Sequence, residues 1–443
     1  MKDKGSIQTP SSIFPAQFDL LFARNLAGPG LKIIAVNIMA AAAFFAINFL
    51  LVRVLGEAGY GQYVILNLWI TILTVVCLAG MDDFFVALLP QHLNTENKKN
   101  IYGTVLAWSL RLCGLVILVV IAFIFLLSVE GHLHPVIVQH RLLFTVVLTC
   151  ATLLMVLVSF TRAIGHPVVS QMADKLVRGI ALLTFIAVLY FAGNFSSLTA
   201  ILLLQLSTII LAVIVLIVFL RNKVQFNTTF VYFDKSRKSN ITFLAISLLY
   251  LLSTRFDLIF LERSTADDLL GHYNIAARIS DLAAFPVMAL NLLAPVLLSE
   301  VVHNQKERLS PIFKTVLLFA TGITLAVLLI LLLVGKPILG FFGPRFTSAF
   351  TPLVILCVAQ FLAAIAAPHN ALLMVCGFQR LSLFALLVFV IFSFTLCFFL
   401  VPAYGSNGAA YSMLGGQAGY LIVTCWLAHR HVLRPAGSIQ SIQ

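Results

Sequence analysis

Leu198-Thr-Ala-Ile-Leu-Leu-Leu-Gln-Leu-Ser-Thr-Ile-Ile-Leu-Ala-Val-Ile-Val-Leu-Ile-Val-Phe-Leu220 runs for 23 residues without a charged side chain. Coiled into an α-helix at 1.5 Å per residue, it is about 34 Å long and crosses the ~30 Å hydrocarbon core of a bilayer. Arg221 and Lys223 follow at once. The same pattern, an apolar run of about twenty residues and then a polar connection, recurs along the chain. Soluble α/β cores break their apolar runs sooner, and a membrane β-strand alternates where these runs are continuous. The fold class is therefore all-α, a polytopic integral membrane protein. Composition agrees: 61% of residues are hydrophobic and 10% charged, against roughly 25% charged in a soluble domain.

The pattern gives twelve spans, near residues 32–53, 61–90, 102–127, 142–160, 168–192, 198–220, 241–261, 270–298, 312–334, 350–375, 381–401 and 409–427. A net charge of +12 could point to nucleic acid, but Lys and Arg sit mainly in alternate connections and there is no separate basic soluble domain. With a cytoplasmic N-terminus, the inner segments carry Lys98, Lys99, Arg162, Arg221, Lys223, Lys235, Arg237, Lys238, Arg380 and Arg430 among others. The outer ones carry Arg53, Arg141, Arg263, Lys336 and Arg345. This is the positive-inside signature, with both termini cytoplasmic. Residues 1–30 read as a cytoplasmic or interfacial leader with no secretory signal. Residues 31–220 form one six-helix bundle, 221–240 a basic cytoplasmic linker, 241–430 a second bundle and 431–443 a cytoplasmic tail.

The two halves carry a matching segment. Glu57-Ala-Gly-Tyr-Gly-Gln-Tyr63 lies between the first two spans, and Asp267-Asp-Leu-Leu-Gly-His-Tyr273 between the seventh and eighth. Both are acidic and end in Gly-x-Tyr, 210 residues apart. Two related bundles in parallel orientation is the expectation.

Three stretches carry a wider resemblance: Leu-Val-Arg-Val-Leu-Gly-Glu-Ala-Gly-Tyr-Gly-Gln-Tyr over Leu51 to Tyr63; Arg255-Phe256-Asp257 with Gly271-His-Tyr-Asn-Ile-Ala-Ala-Arg278; and Pro402-Ala-Tyr-Gly-Ser-Asn-Gly-Ala-Ala410. They resemble the polysaccharide (O-antigen type) flippase family of the multidrug/oligosaccharidyl-lipid/polysaccharide exporter superfamily. The resemblance implies a bacterial inner-membrane protein that moves an oligosaccharide on a polyprenyl-pyrophosphate carrier to the outer leaflet. Glycosyltransferases and a glycan polymerase would be its partners. Lipid II flippases of that superfamily usually have fourteen helices, so twelve spans argue for a glycan repeat unit.

Charge inside a membrane is expensive, ~2.5–3.5 kcal/mol at a helix centre on insertion scales, and so marks candidate sites. The seventh span carries Arg255 and Asp257, which point about 200° apart. The eighth carries Arg278 and Asp281, which share a face at i,i+3. These four form either a cavity wall for phosphate and sugar or an ion-pair network locking two helices. Arg255 suits bidentate phosphate contact. In the first half, Arg111 lies in the third span, and Asp174, Lys175 and Arg178 in the fifth, with Asp174 and Arg178 at i,i+4. The substrate-binding candidates are Arg255, Asp257, Arg278, Asp281, Arg111, Lys175 and Arg178. Pro286 and Pro295 would kink the eighth span. Catalytic residues, metal ligands and cofactors are not expected: there is no phosphate-binding Gly-rich loop with Lys, and the seven cysteines lie singly in apolar runs. A drug/cation antiporter would prefer a buried acidic site. A membrane glycan polymerase or ligase would need a large outer loop.

Overall fold

The computed structural model describes residues 31–89, 98–131, 133–192, 197–225, 236–284 and 309–433. Among them the chain is helical and has no strand. The helices are α1 (Leu31–Leu78), α2 (Met81–Leu88), α3 (Lys98–Glu130), α4 (Pro135–Gln139), α5 (Arg141–Ala163), α6 (Pro167–Gln171), α7 (Arg178–Ala192) and α8 (Leu198–Leu220). There follow α9 (Ser236–Ser264), α10 (Asp267–Ser280), α11 (Leu309–Phe342), α12 (Phe350–Val375) and α13 (Gln379–Ala428). Seven helices among the described residues are long and apolar enough to cross a membrane. The protein is thus a polytopic all-α membrane protein.

The predicted spans map onto fewer helices, because α1 and α13 each hold two. The connection within each is reduced to a break at one glycine, Gly56 (φ 71°) and Gly405 (φ 55°). Both adopt the left-handed backbone that costs glycine little. The chain folds back at each break. Tyr60 Oη donates to Asn48 Oδ1 at 2.7 Å, although twelve residues of straight helix would separate them by about 18 Å. Past Gly405, Ser393 Oγ donates to the Ser412 carbonyl at 2.8 Å.

Other boundaries also move. Helix α9 begins at Ser236, inside the expected linker, and α11 runs on to Phe342. The fifth span is not a uniform α-helix. It joins α6 to α7 through a π-helical turn, Met172–Val177. The expected kinks at Pro286 and Pro295 lie outside the described residues, as do residues 226–235 of the linker, residues 1–30 and residues 434–443.

Apolar side chains point outward as well as inward. Leu118, Val119 and Phe123 on α3, Val218 on α8 and Phe399 on α13 are all exposed, as hydrocarbon-facing surfaces require. Inside, one apolar cluster draws only on residues 66–224 and a second only on 313–428. A third joins the two halves: Leu51, Tyr60 and Ile65 pack with Phe256, Tyr273, Ile279 and Leu353. Lipid supplies little hydrophobic drive between helices, so close backbone approach matters. The matched segments supply it. A Cβ on Gly61 would stand 1.8 Å from the Asp267 carbonyl oxygen, and one on Gly271 would stand 3.1 Å from the Tyr60 ring. Glycines 210 residues apart in sequence thus lie at one crossing between the halves.

Two ends can be named. At the turn end are Gly56, the connection before α4, the α9–α10 junction and Gly405, whose Cβ position is 3.9 Å from Thr265. At the linker end, residues 221–225 are tied to the first half. Lys223 pairs with His166 and the Gln225 amide donates to the Lys99 carbonyl at 3.1 Å.

Candidate substrate path between the halves

Arg278 is at the centre of the polar groups in the second half. Its Nη1 lies 3.3 Å from Asp281 Oδ2, the i,i+3 pair expected from spacing. Gln360 of α12 donates to Asp281 Oδ1 at 3.4 Å. The Arg278 guanidinium also stands 5.3 Å from the ring centre of Phe44, on α1 of the first half. Its Nε is buried without a hydrogen-bond partner among the described residues. An orphaned charged donor in a low-dielectric site calls for an acceptor.

Asp257 is placed differently from its neighbours. It is buried and accepts from Tyr273 Oη at 2.7 Å and from the Leu258 amide at 2.9 Å. Arg255 and Arg278 both attract it electrostatically. Arg255 itself is half-buried on α9. The structure therefore brings Arg255, Asp257 and Arg278 within electrostatic reach, with Asp281 attached through Arg278. Asp257 takes its closest hydrogen bond from a tyrosine, not from either arginine.

The first half carries a second group of polar residues. Asp174 and Lys175 sit in the π-helical turn, a wide turn that recurs at functional sites. Lys175 Nζ donates to Asn37 Oδ1 of α1 at 2.6 Å. Arg178 pairs with Asp174 at 3.5 Å, one helical turn away as expected. A polar chain runs from Tyr63: Asn67 Nδ2 donates to the Tyr63 carbonyl at 2.9 Å and Gln205 Nε2 to Asn67 Oδ1 at 2.8 Å. Asp174 Oδ1 and Gln205 Oε1 are buried without hydrogen-bond donors among the described residues. Arg111 is exposed on α3.

Tyr60 connects the halves. It donates to Asn48 and accepts from Asn274 Nδ2 of α10 at 2.9 Å. Tyr60, Tyr63, Tyr273 and Phe44 are absent from the sequence-derived site. The two Gly-x-Tyr segments did contain the signal, since tyrosine hydroxyls buried among apolar spans need partners. No group of three or more potential metal ligands occurs among the described residues.

Comparison with known proteins places this arrangement. Residues 30–297, more than half of the chain, match the family model "Polysaccharide biosynthesis protein". No curated protein sequence matches significantly. Among solved structures, the chain is similar to the inward-facing conformation of a multidrug resistance MATE family transporter of the MOP superfamily. That pair has a TM-score of 0.72 and 14% identity, over 91% of this chain and 98% of that one. It is also similar to a MOP superfamily transporter from Pyrococcus furiosus, with a TM-score of 0.67 and 13% identity, over 95% of this chain and 99% of that one. A Vibrio cholerae MATE transporter gives 0.66 and 16%, over 93% and 98%. These likenesses show the fold. Family and fold are those of membrane transporters and exporters, not of enzymes. The chain belongs to the polysaccharide biosynthesis protein family and has the fold of the MOP superfamily transporters.

Proposed function

We propose that this protein is a flippase that moves a polyprenyl-pyrophosphate-linked oligosaccharide repeat unit from the inner to the outer leaflet of a bacterial inner membrane. The two halves would act as six-helix bundles that expose the path between them to one side and then the other. The observation that carries this reading is Arg278 with its unpartnered Nε, facing the first half across Phe44. A guanidinium fits phosphate oxygens, and Arg255, Lys175 and Arg178 add positive charge in the same region. Asn67, Gln205 and Tyr63 offer the amide and aromatic surface that sugars take up. The polyprenyl tail would remain in lipid.

With both termini cytoplasmic, the membrane potential helps. An anion leaving a negative interior gains ~2.3 kcal/mol per charge per 100 mV. The protein's cationic groups neutralise the headgroup during passage. In a bacterial host that builds a glycan on a polyprenyl carrier, depletion of the protein is expected to accumulate the lipid-linked unit where periplasmic glycan-modifying enzymes cannot reach it. Undiminished access of those enzymes after depletion would remove the flippase reading.

A further inference from the structure

One side of α1 receives a cation from each half. Asn37 Oδ1 accepts from Lys175 Nζ of the first half at 2.6 Å. Seven residues on, the Phe44 ring centre lies 5.3 Å from the Arg278 guanidinium of the second half. The helix is unbroken between the two, its one non-helical residue being Gly56. Positions i and i+7 fall about 20° short of two full turns and about 10.5 Å apart along the axis. Asn37 and Phe44 therefore share a face, and the two cations meet it two turns apart.

That face looks into the space between the halves. On one flank, Ala43 packs on α7, 4.0 Å from the Cβ position of Gly179. On the other, Phe45 meets Phe342 of α11 edge-on, with ring centres 5.1 Å apart. Between Asn37 and Phe44 the face carries Ala40 and Ala41, so no long side chain of α1 separates the cations. Each cation has donors to spare. Arg278 holds a buried Nε without a hydrogen-bond partner among the described residues. Lys175 is exposed and gives one bond to a neutral amide, and an ammonium has three donors. It enters no salt bridge among the described residues, because Asp174, its neighbour in the π-helical turn, pairs with Arg178.

The spacing selects the ligand. Two charge-assisted hydrogen bonds of about 2.8 Å each, set within that axial separation, leave roughly 5 Å between the outer oxygens of an anion held at both ends. Two phosphates joined through an oxygen span such a gap, and a single phosphate does not. We propose that Lys175 and Arg278 form a diphosphate clamp: each half grips one phosphate of a lipid-linked headgroup, and the site takes a polyprenyl diphosphate in preference to a polyprenyl monophosphate. Lys175 is the selecting residue, because a monophosphate can use Arg278 alone.

The clamp rests on the flippase reading above, and its test keeps the two apart. The probes are polyprenyl diphosphate and polyprenyl monophosphate of equal chain length, neither carrying a sugar. Their binding is measured by native mass spectrometry of the purified protein in detergent with graded amounts of each lipid. The native protein should hold the diphosphate at least about tenfold more tightly, the value of one hydrogen bond to a charged group. Lys175→Gln keeps a donor for Asn37 but removes the charge. It should weaken diphosphate binding about tenfold and leave monophosphate binding within about twofold; Lys175→Arg should restore the preference. Equal affinities of the native protein for the two lipids would overturn the clamp, whatever the variants do. So would a Lys175→Gln protein that loses both lipids alike or neither. In either case a native protein that binds these lipids keeps the flippase reading, whereas one that binds neither lipid removes that reading and the clamp with it.

Discussion

Arg278 and Asp257 are two charged residues one helix apart with opposite expected phenotypes. Arg278 pairs with a half-exposed Asp281, and such pairs contribute about 0–1 kcal/mol. Arg278→Ala is therefore expected to abolish export while the melting temperature barely moves. Arg278→Lys should restore export only partly, because it lacks the planar fork. If Arg278 merely held Asp281, the double variant Arg278→Ala with Asp281→Ala would export normally, and that result would remove Arg278 from the path. Tyr273→Phe should behave in the reverse way. It deletes the 2.7 Å donor to a buried carboxylate, which costs about 1–3 kcal/mol and should appear as a lower melting temperature in detergent. The i,i+3 and i,i+4 ion pairs were legible in the sequence because helical spacing alone sets which residues share a face. The Tyr273–Asp257 and Tyr60–Asn274 bonds were not legible. They depend on how separate helices cross, which no local pattern encodes.

Helix α13 offers an internal comparison between backbone strain and collision. Gly405 has positive φ, and a Cβ there would meet only Thr265 at 3.9 Å. Gly405→Ala should therefore cost backbone strain without a collision, on the order of 1–3 kcal/mol at φ 55°, ψ −128°. Gly408 is helical, but a Cβ there would stand 2.0 Å from the Leu400 carbonyl oxygen. Gly408→Ala must push the two arms of α13 apart, so its loss of thermal stability should exceed that of Gly405→Ala; an equal or smaller loss would contradict the hairpin packing. Hydropathy located both arms of α1 and α13, and the acidic Gly-Tyr and Pro-x-Tyr-Gly stretches located their reversals. Hydropathy is blind to the left-handed glycine within an otherwise continuous helix, because one residue of backbone geometry leaves the apolar run intact. The π-helical turn at Met172–Val177 was hidden for the same reason.

The repeat in sequence becomes a contact in the whole molecule: Gly61 against Asp267, and Gly271 against Tyr60. That is where two related halves would meet near a common axis. Composition and run length were enough for the membrane class, and charge placement for a sidedness that remains a prediction. Reporter fusions after Thr265 should read as outside, and fusions after Gln225 as inside; the opposite pattern would reverse the direction of transport. The central claim is that the path between the halves carries a lipid-linked glycan. Its most direct test uses proteoliposomes containing a polyprenyl-pyrophosphate oligosaccharide and a glycan-modifying enzyme confined to one side. With the protein present, the enzyme should modify the whole lipid pool, and with Arg278→Ala only the leaflet it already faces. Modification that stops at one leaflet with the native protein, in vesicles where the same protein moves a lipophilic cation, would contradict the account and favour a drug exporter.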